Sequence, residues 1–233
     1  MAQFRVFTYR NSKTLRGENK GFTTIILMLS PANKSGYEVC AFSSPGCRAA
    51  CLSTSGHGRY QRTQNAQIKR TKRFFEDREG FKADMIHDIR ALIRKCEREG
   101  TTPCVRCNGC SDIDWMVEFP EVFSMFPNVQ FYDYTKDIDR PFRQLPPNYQ
   151  LTYSRSEDTP DTTVRGMLRS GVNVAIPFET VPSTFMGFPV LSGDIDDLRH
   201  TDKHGIVGLS CKGRAKKDKS GFVVRNSHPV VGV

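Results

Sequence analysis

Residues 129–154, VQFYDYTKDIDRPFRQLPPNYQLTYS, decide the fold class of this chain. The segments 129–134 and 150–154 are short and rich in aromatic and β-branched residues, which predicts two β-strands. A polar, proline-containing connection separates the two segments and is long enough for a crossover. Strands joined by crossovers are typical of a parallel sheet in an α/β protein.

The same rhythm of short apolar segments and longer connections runs through most of the chain. Further strands are predicted at residues 23–29, 104–108, 172–178, 189–192 and 206–210. We therefore expect a single α/β domain over residues 1–233, with a mainly parallel sheet that is partly TIM-barrel-like. The residues before 23 are expected to form a loop.

Two helices are predicted between the first two of these strands. Residues 61–79 form a strongly basic helical segment, and residues 81–98 form an amphipathic helix that Gly100 ends. Four aromatic residues further along the chain are interpreted as the packed face of another helix: Trp115, Phe119, Phe123 and Phe126.

Polar side chains follow nearly every predicted strand, at the point where the strand ends. Because the carboxyl ends of parallel strands meet at one edge of a sheet, these side chains predict a ligand site there. Asp112, Asp133 and Lys136 are the predicted catalytic residues, since an acid and an amine at strand ends can share proton transfer. The predicted cofactor-binding residues are Asn108, Ser111, Asp112, Arg155, Asp194 and Lys212. The alternative is that strands end in polar residues because loops are solvated.

Three cysteines lie within twelve residues, in Cys40-Ala-Phe-Ser-Ser-Pro-Gly-Cys47-Arg-Ala-Ala-Cys51, on a loop after the first predicted strand. Cys47 and Cys51 are about one helical turn apart, so both sulfur atoms can face one ion or cluster. Three thiolates near one point repel one another unless a metal neutralises them. We therefore predict that Cys40, Cys47 and Cys51 bind an iron–sulfur cluster of the 4Fe–4S type. Zinc ligation and plain thiols are the alternatives.

A second trio, Cys104, Cys107 and Cys110, overlaps a predicted strand. Side chains alternate between the faces of a strand, so Cys104 and Cys107 are expected to point in opposite directions and not to share a metal. Cys110 and Cys211 remain candidates for a fourth ligand.

The net charge of +9 and the pI near 9.2 favour a polyanionic partner, which we expect to be nucleic acid or a nucleotide. Much of the charge lies in residues 69–73 and 212–219, although both stretches are also typical of a solvated surface. No signal peptide and no apolar run of membrane-spanning length is visible, so no membrane association is expected. A cytoplasmic location is predicted, where cysteines stay reduced and serve as metal ligands or buried thiols.

Short motifs along the chain resemble the gene-product-88 family of phage proteins. They are Asn11-Ser12-Lys13-Thr14, Ser44-Pro45-Gly46-Cys47 with Cys51-Leu52, Gly58-Arg59-Tyr60, the segment from Val105 to Asp112, Phe131 to Lys136, Leu151 to Ser154, Gly193-Asp194, Gly208-Leu209, Lys212-Gly213 and Ser220 to Val224. The resemblance implies a phage protein with a cysteine loop and implies no particular activity. The family pattern has other residues where this chain has Cys107 and Cys110, which supports treating those two as non-ligands.

The arrangement is also similar, more distantly, to radical S-adenosylmethionine enzymes. Those enzymes carry three cluster cysteines after the first strand of a partial barrel and an acidic, glycine-rich segment after the second. This similarity implies S-adenosylmethionine as a cofactor, with Asn108, Ser111 and Asp112 placed to receive its methionine amine. The cysteine spacing departs from that pattern, since six and three residues separate the cysteines here instead of three and two.

These observations predict a phage iron–sulfur enzyme that acts on a nucleotide or nucleic acid. The alternative is a non-catalytic nucleic-acid-binding protein whose cysteines bind structural zinc or remain free thiols. A third hypothesis is a phage inhibitor of a host factor. His200, His204 and Asp202 form one further candidate site, for a divalent ion.

Overall fold

A computed structural model describes residues 4–9 and 11–225 of the chain. The described strands are β1 Phe7–Tyr9, β2 Phe22–Leu27, β3 Thr102–Arg106, β4 Gln130–Thr135, β5 Tyr149–Ser154, β6 Val174–Phe178, β7 Thr184–Phe185, β8 Phe188–Ser192 and β9 Ile206–Ser210. The described α-helices are α1 Ser12–Glu18, α2 Pro45–Ala49, α3 Gln61–Glu76, α4 Arg78–Glu99, α5 Trp115–Glu118, α6 Pro120–Met125 and α7 Asp161–Arg169.

The strands form one sheet in the order β1-β2-β3-β4-β5-β6-β9-β8-β7. The pairs from β2 through β6 to β9 and β8 are parallel, and the edge pairs β1–β2 and β7–β8 are antiparallel. The predicted α/β class with a mainly parallel sheet is confirmed. Over the described residues the sheet is open, with β1 and β7 at its two ends, so a barrel-like shape is not confirmed.

One face of the sheet packs against the helices. Alternating strand residues such as Ile25, Val105 and Phe131 belong to a large buried cluster together with Phe81 of α4 and Trp115 of α5. The four aromatic residues assigned to a packed helix face are all buried, with 1–7% of each residue exposed: Trp115, Phe119, Phe123 and Phe126. This cluster holds the crossover helices on the strands and fixes the loops at the strand ends.

On the opposite face of the sheet, β3 and β4 face the segment 193–202, which contains the 3₁₀ helix Arg199–Thr201. Arg106 and Tyr134 project from β3 and β4 towards the segment 193–202, where Arg106 Nη1 lies 2.7 Å from Asp197 Oδ2. Leu198 of that segment packs on Gly17 of α1. Because Arg106 and Tyr134 are polar, the hydrophobic pattern of β3 and β4 did not indicate that the segment 193–202 packs on them.

Helices α3 and α4 confirm the two predicted helices, with shifted boundaries. Asp77 separates them, since its side chain accepts a hydrogen bond from the backbone N–H of Gly80 at 3.0 Å and caps α4. Gly100 ends α4 in the left-handed conformation, with φ of +66°, as its position predicts. None of the described helices combines the length and apolar character needed to cross a membrane.

The expectation of a loop before residue 23 is wrong. Residues of β1 pair with β2, and the backbone N–H groups of Val6 and Phe7 donate to Asp88 Oδ2 at 3.0 and 3.2 Å. Asn11 caps helix α1, and its side chain forms a capping box with Thr14. Because β1 precedes β2, the cysteine segment follows the second strand and not the first.

Candidate functional site

The cysteine segment occupies the connection between β2 and α3, at the carboxyl edge of the parallel strands. Cys47 lies in the short helix α2, which Pro45 begins and Ser44 caps by accepting the N–H of Cys47 at 3.2 Å. Cys40 precedes this helix and Cys51 follows it. The local sequence Ser-Pro-Gly thus sets where the middle thiol lies.

The three predicted ligand cysteines are partly buried and interact electrostatically. Burial raises the pKa of the Cys40 thiol to about 12, and the thiols of Cys51 and Cys47 contribute to the increase. Burial also raises the pKa of Cys47, while Lys136 acts in the opposite direction. The structure therefore brings the three sulfur atoms into one neighbourhood as free thiols.

Cys110 joins this neighbourhood from the loop after β3. Its carbonyl oxygen lies 3.4 Å from the sulfur of Cys40. Burial raises the pKa of Cys110 to about 12, with further increases from Cys51 and Cys40. Four thiols are consequently gathered, although over residues 4–9 and 11–225 no three His, Cys, Asp or Glu side chains converge on a single-ion site.

The remaining cysteines lie elsewhere. Cys107 belongs to the helix-side core, whereas Cys104 points to the other face of the sheet, 4.0 Å from His200 Nε2. Their opposite orientations agree with the alternation predicted for a strand. Cys96 is buried in the core, and Cys211 packs beside Ala50 in a small cluster.

Glu157, in the loop after β5, holds the start of α2 in place. Its Oε2 accepts the Ser44 hydroxyl at 2.6 Å, and its Oε1 accepts the backbone N–H of Gly46 at 2.5 Å. A Cβ on Gly46 would lie 2.6 Å from Glu157 Oε1, so glycine is needed for this close approach. Sequence reasoning missed Glu157, although it lies just past the end of a strand like the predicted residues.

Asp112 forms a buried ion pair with Arg140. Arg140 Nη1 lies 2.8 Å from Asp112 Oδ1, and the backbone N–H of Lys136 donates to Asp112 Oδ2 at 2.8 Å. Burial raises the pKa of Asp112, while Arg140 acts in the opposite direction. Arg140 was also missed, because a charged residue in a connecting loop carries no signal of burial.

Lys136 lies between the cysteines and the loop after β5. Its ammonium donates to three oxygen atoms, Ser154 O at 3.0 Å, Ser154 Oγ at 3.0 Å and Arg155 O at 3.1 Å. Burial lowers the pKa of Lys136, while Cys47, Asp112 and Glu157 act to raise it. All three N–H groups are used, which makes Lys136 a fixed positive charge beside Cys47.

Asp133 and Asn108 lie behind the site rather than in it. Asp133 is 1% exposed and accepts the backbone N–H of Asn108 at 2.6 Å and the Tyr149 hydroxyl at 3.2 Å. The Asn108 side chain accepts Ser111 Oγ at 2.8 Å and contacts Trp115 Nε1 at 3.2 Å. Through these contacts Asp133, Asn108 and Ser111 hold the loop that carries Asp112 in place.

Arg155 borders the cysteine site with an unused donor. Its Nη1 donates to the carbonyl oxygen of Gly221 at 3.0 Å, whereas its buried Nε has no hydrogen-bond partner among the described residues. Burial lowers the pKa of Arg155. This N–H of Arg155 can therefore donate to an additional acceptor.

Asp194 and Lys212 form a separate group with α1. Asp194 Oδ1 lies 2.5 Å from Lys212 Nζ and 3.5 Å from Lys13 Nζ, and Oδ2 accepts the backbone N–H of Ser210 at 2.8 Å. Lys212, hydrogen bonded to Asp194, lowers the pKa of that carboxyl, against the opposing effect of burial. Asp194, just past β8, thus contacts both Lys13 of α1 and Lys212, just past β9.

The candidate divalent-ion site is not assembled. The His200 ring lies between Phe22 and Tyr132, with both ring centroids at 5.1 Å, and burial lowers the pKa of His200 to about 4. His204 is exposed, and Asp202 pairs with Arg199 at 2.9 Å. Packing of the imidazole in the sheet face explains His200 better than metal ligation.

Comparison with known proteins identifies one family. The family model described as Gene product 88 matches residues 5–226. No curated protein and no solved structure matches the chain. The matched region contains the cysteine segment, the Asp112–Arg140 pair and the strand ends described above. The chain therefore belongs to the Gene product 88 family of phage proteins.

Proposed function

We propose that this protein is an iron–sulfur enzyme that acts on a nucleotide or nucleic acid. The observation that carries the proposal is the gathering of Cys40, Cys47 and Cys51 at the carboxyl edge of a parallel sheet. Ligand sites of α/β proteins form at that edge, and cysteine thiolates are the usual ligands of iron–sulfur clusters.

The donor set fits an iron–sulfur cluster. It consists of partly buried thiols that form no disulfide, and soft sulfur donors suit iron–sulfur clusters and zinc better than hard cations. A cluster of several iron atoms is wider than one ion, so its ligands need not converge on one point. Cys40, Cys47 and Cys51 would hold the cluster, which would supply electron transfer or an iron atom that binds a ligand.

The polar side of the site favours an anionic substrate. Lys136 places a fixed ammonium beside Cys47, and Arg155 has a buried N–H without a described partner. The Glu157 carboxylate accepts the backbone N–H of Gly46 in α2 and so keeps Cys47 of that helix in position. Phosphate groups of a nucleotide or nucleic acid match the positive charge of Lys136, whose own N–H groups are already used, and the unpaired N–H of Arg155.

The second candidate is a nucleic-acid-binding protein with structural zinc. Cys110 is the observation that bears on it, because Cys110 adds a fourth thiol, the ligand number of structural zinc, although the described thiols do not converge on a single-ion site. Cys110 also decides whether a cluster keeps an iron atom free of protein ligands. The predicted use of S-adenosylmethionine requires such an iron atom and remains a prediction.

Asp112 bears on the same prediction. Its two carboxylate oxygens already accept Arg140 and the backbone of Lys136. A role in receiving the amine of S-adenosylmethionine requires this carboxylate to serve a further donor. Incubation of the reduced, cluster-loaded protein with S-adenosylmethionine and detection of 5′-deoxyadenosine tests this role.

The proposed metal site is tested with cysteine variants purified without oxygen. We expect the unmodified protein to be brown, and Cys40→Ser, Cys47→Ser and Cys51→Ser each to lose the visible absorption. Cys96→Ser, in the core, is the matched control and should keep it. A colourless, zinc-loaded protein would support the second candidate, and visible absorption retained in all three variants would contradict the assigned ligands. Cys110→Ser retains the absorption if three cysteines suffice.

A further inference from the structure

Apolar side chains are exposed around the cysteine site. They come from the segment that carries the cysteines and from the loop after β4, which holds Arg140. We name them the rim surface: Phe42, Leu52, Tyr60, Ile138 and Phe142, which are 45–56% exposed. Five of the nine large apolar side chains that are exposed among the described residues therefore lie in these two segments.

Two aromatic rings of the rim surface lie beside guanidinium groups. Arg140 lies 5.8 Å from the centroid of the Phe42 ring, and Arg59 lies 5.3 Å from that of Tyr60. Arg140 is fixed by its ion pair with Asp112, so it holds one side of Phe42. Half of each aromatic residue remains open to solvent, which leaves ring surface on which a base can stack.

A basic segment packs directly against the cysteine segment. Arg214, Lys216 and Lys217 lie in the 3₁₀ turn Gly213–Lys217, are exposed, and form no ion pair with any described residue. Ala215 anchors the turn in a cluster with Ala50. These cations therefore lie next to the rim surface, where they can contact phosphates.

The other basic stretch, in α3, is partly used within the fold. Arg70 Nε donates to the carbonyl oxygen of Arg5, and Arg73 pairs with Asp84 at 2.7 Å. Lys69 and Lys72 are exposed on a helix whose Thr71 and Phe75 pack against residues 30–37. Lys69 and Lys72 therefore provide exposed positive charge, whereas the exposed rings of Phe42 and Tyr60 belong to the rim surface.

We propose that the rim surface and the Gly213–Lys217 turn bind single-stranded nucleic acid and bring it to the cysteine site. Phe42 and Tyr60 stack on bases, and Arg214, Lys216 and Lys217 contact the backbone. Stacking requires bases that are not paired in a duplex, which selects a single strand. The inference deepens the proposed function and rests on it for the chemistry at the cysteines.

Fluorescence anisotropy of the full-length protein tests the inference with labelled thymidine and uridine homopolymers and a labelled DNA duplex. We expect at least one single strand to bind more tightly than the duplex, with affinity that falls as salt increases. The two homopolymers distinguish DNA from RNA. Equal or tighter binding of the duplex, or no binding of either homopolymer at low salt, would overturn the inference.

Charge-matched variants locate the interface. The double variant Lys216→Gln/Lys217→Gln should lower the salt dependence by about 1.4 in the slope of log affinity against log salt, because two phosphate contacts are lost. Lys69→Gln/Lys72→Gln removes the same charge from α3 and should leave the slope unchanged. Equal losses in both variants would show that net charge alone drives binding.

The aromatic contribution is tested with Phe42→Leu and Tyr60→Leu. Each keeps an apolar side chain and should weaken single-strand binding by about tenfold, as expected for loss of one stacked base. Unchanged affinity in both would refute the stacking role. Visible absorption recorded on the same samples separates the two proposals: a strand bound without a cluster refutes only the proposed metal site, and a cluster without strand binding refutes only this inference.

Discussion

Glu157 and Gly46 are joined by a hydrogen bond across 111 residues of sequence, from the backbone N–H of Gly46 to Glu157 Oε1 at 2.5 Å. The same carboxylate accepts the hydroxyl of Ser44, the residue that caps α2. The loop after β5 thus fixes the helix that carries Cys47. The position of the Cys47 thiol therefore depends on Glu157, which lies in the loop after β5.

Glu157→Gln should destabilise the protein by about 1–3 kcal/mol, because the amide NH₂ that replaces one carboxylate oxygen cannot accept a hydrogen bond and the charge-assisted bonds are lost. Urea unfolding measures the change in the free energy of unfolding. A faster reaction of Cys47 with a thiol reagent should accompany it. Asp158→Asn, at the neighbouring exposed position, is the control. Equal thiol reactivity in both variants would refute the positioning role.

Arg140→Met should cost about 3–5 kcal/mol, because it leaves the carboxylate of Asp112 buried without its cation. Arg143 is the matched control, since it also contacts Asp114 and Asp137 but its side chain is 48% exposed. Arg143→Met should cost less than about 1 kcal/mol. Similar losses in urea unfolding for the two variants would show that burial of Arg140 does not matter.

Gly109→Ala should destabilise the loop after β3. A Cβ at this position would collide with Met28 Sδ and would lie 2.8 Å from the carbonyl oxygen of Leu27. Gly166 in α7 has open space around such a Cβ, so Gly166→Ala should instead stabilise by about 0.5–1 kcal/mol through helix propensity. Thermal unfolding of both variants gives the signs, and a stabilised Gly109→Ala protein would contradict the packing described here.

The pH dependence of stability should reveal Asp133. Burial raises its pKa to about 7, against the opposing effects of the Asn108 N–H, Arg106 and the Tyr149 hydroxyl. Between its ordinary pKa and this value the unfolded chain has released the proton that the folded protein retains. Its contribution to the free energy of unfolding should therefore fall as pH rises, by about 1.4 kcal/mol per pH unit at most, and level off above the raised pKa.

Asp133→Asn removes this titration. The difference in free energy of unfolding between variant and unmodified protein should shift in favour of the variant as pH rises from 5 to 8, in urea titrations. Parallel pH profiles for the two proteins would show that the Asp133 carboxyl titrates at its ordinary pKa in the fold.

The sequence predicted the parts of the fold that depend on local pattern. Buried parallel strands are continuous apolar runs, and β9 was predicted with the bounds that the structure has. Strand β1 was not predicted, because three residues carry little periodicity and its backbone depends on Asp88, 82 residues away from Val6. The capping signal at Asn11 and Thr14 was present in the sequence but was not used to predict α1.

In the candidate site, too, local sequence predicted some features, and contacts between distant residues were not predicted. Cys40, Cys47 and Cys51 are close in sequence, so their proximity followed from spacing. The approach of Cys110, the capping by Glu157 and the burial of Arg140 depend on pairing between distant loops, which no local pattern encodes. Lys136 and Asp112 were predicted as site residues, and the structure adds the contacts that fix them.

The central claim is that the thiols of the cysteine segment bind inorganic iron and sulfide. Iron, zinc and acid-labile sulfide are measured in the full-length protein isolated without oxygen. For a 4Fe–4S cluster the account predicts about four iron atoms and about four sulfide ions for each chain. Zinc without sulfide, or neither metal in folded protein, would contradict it.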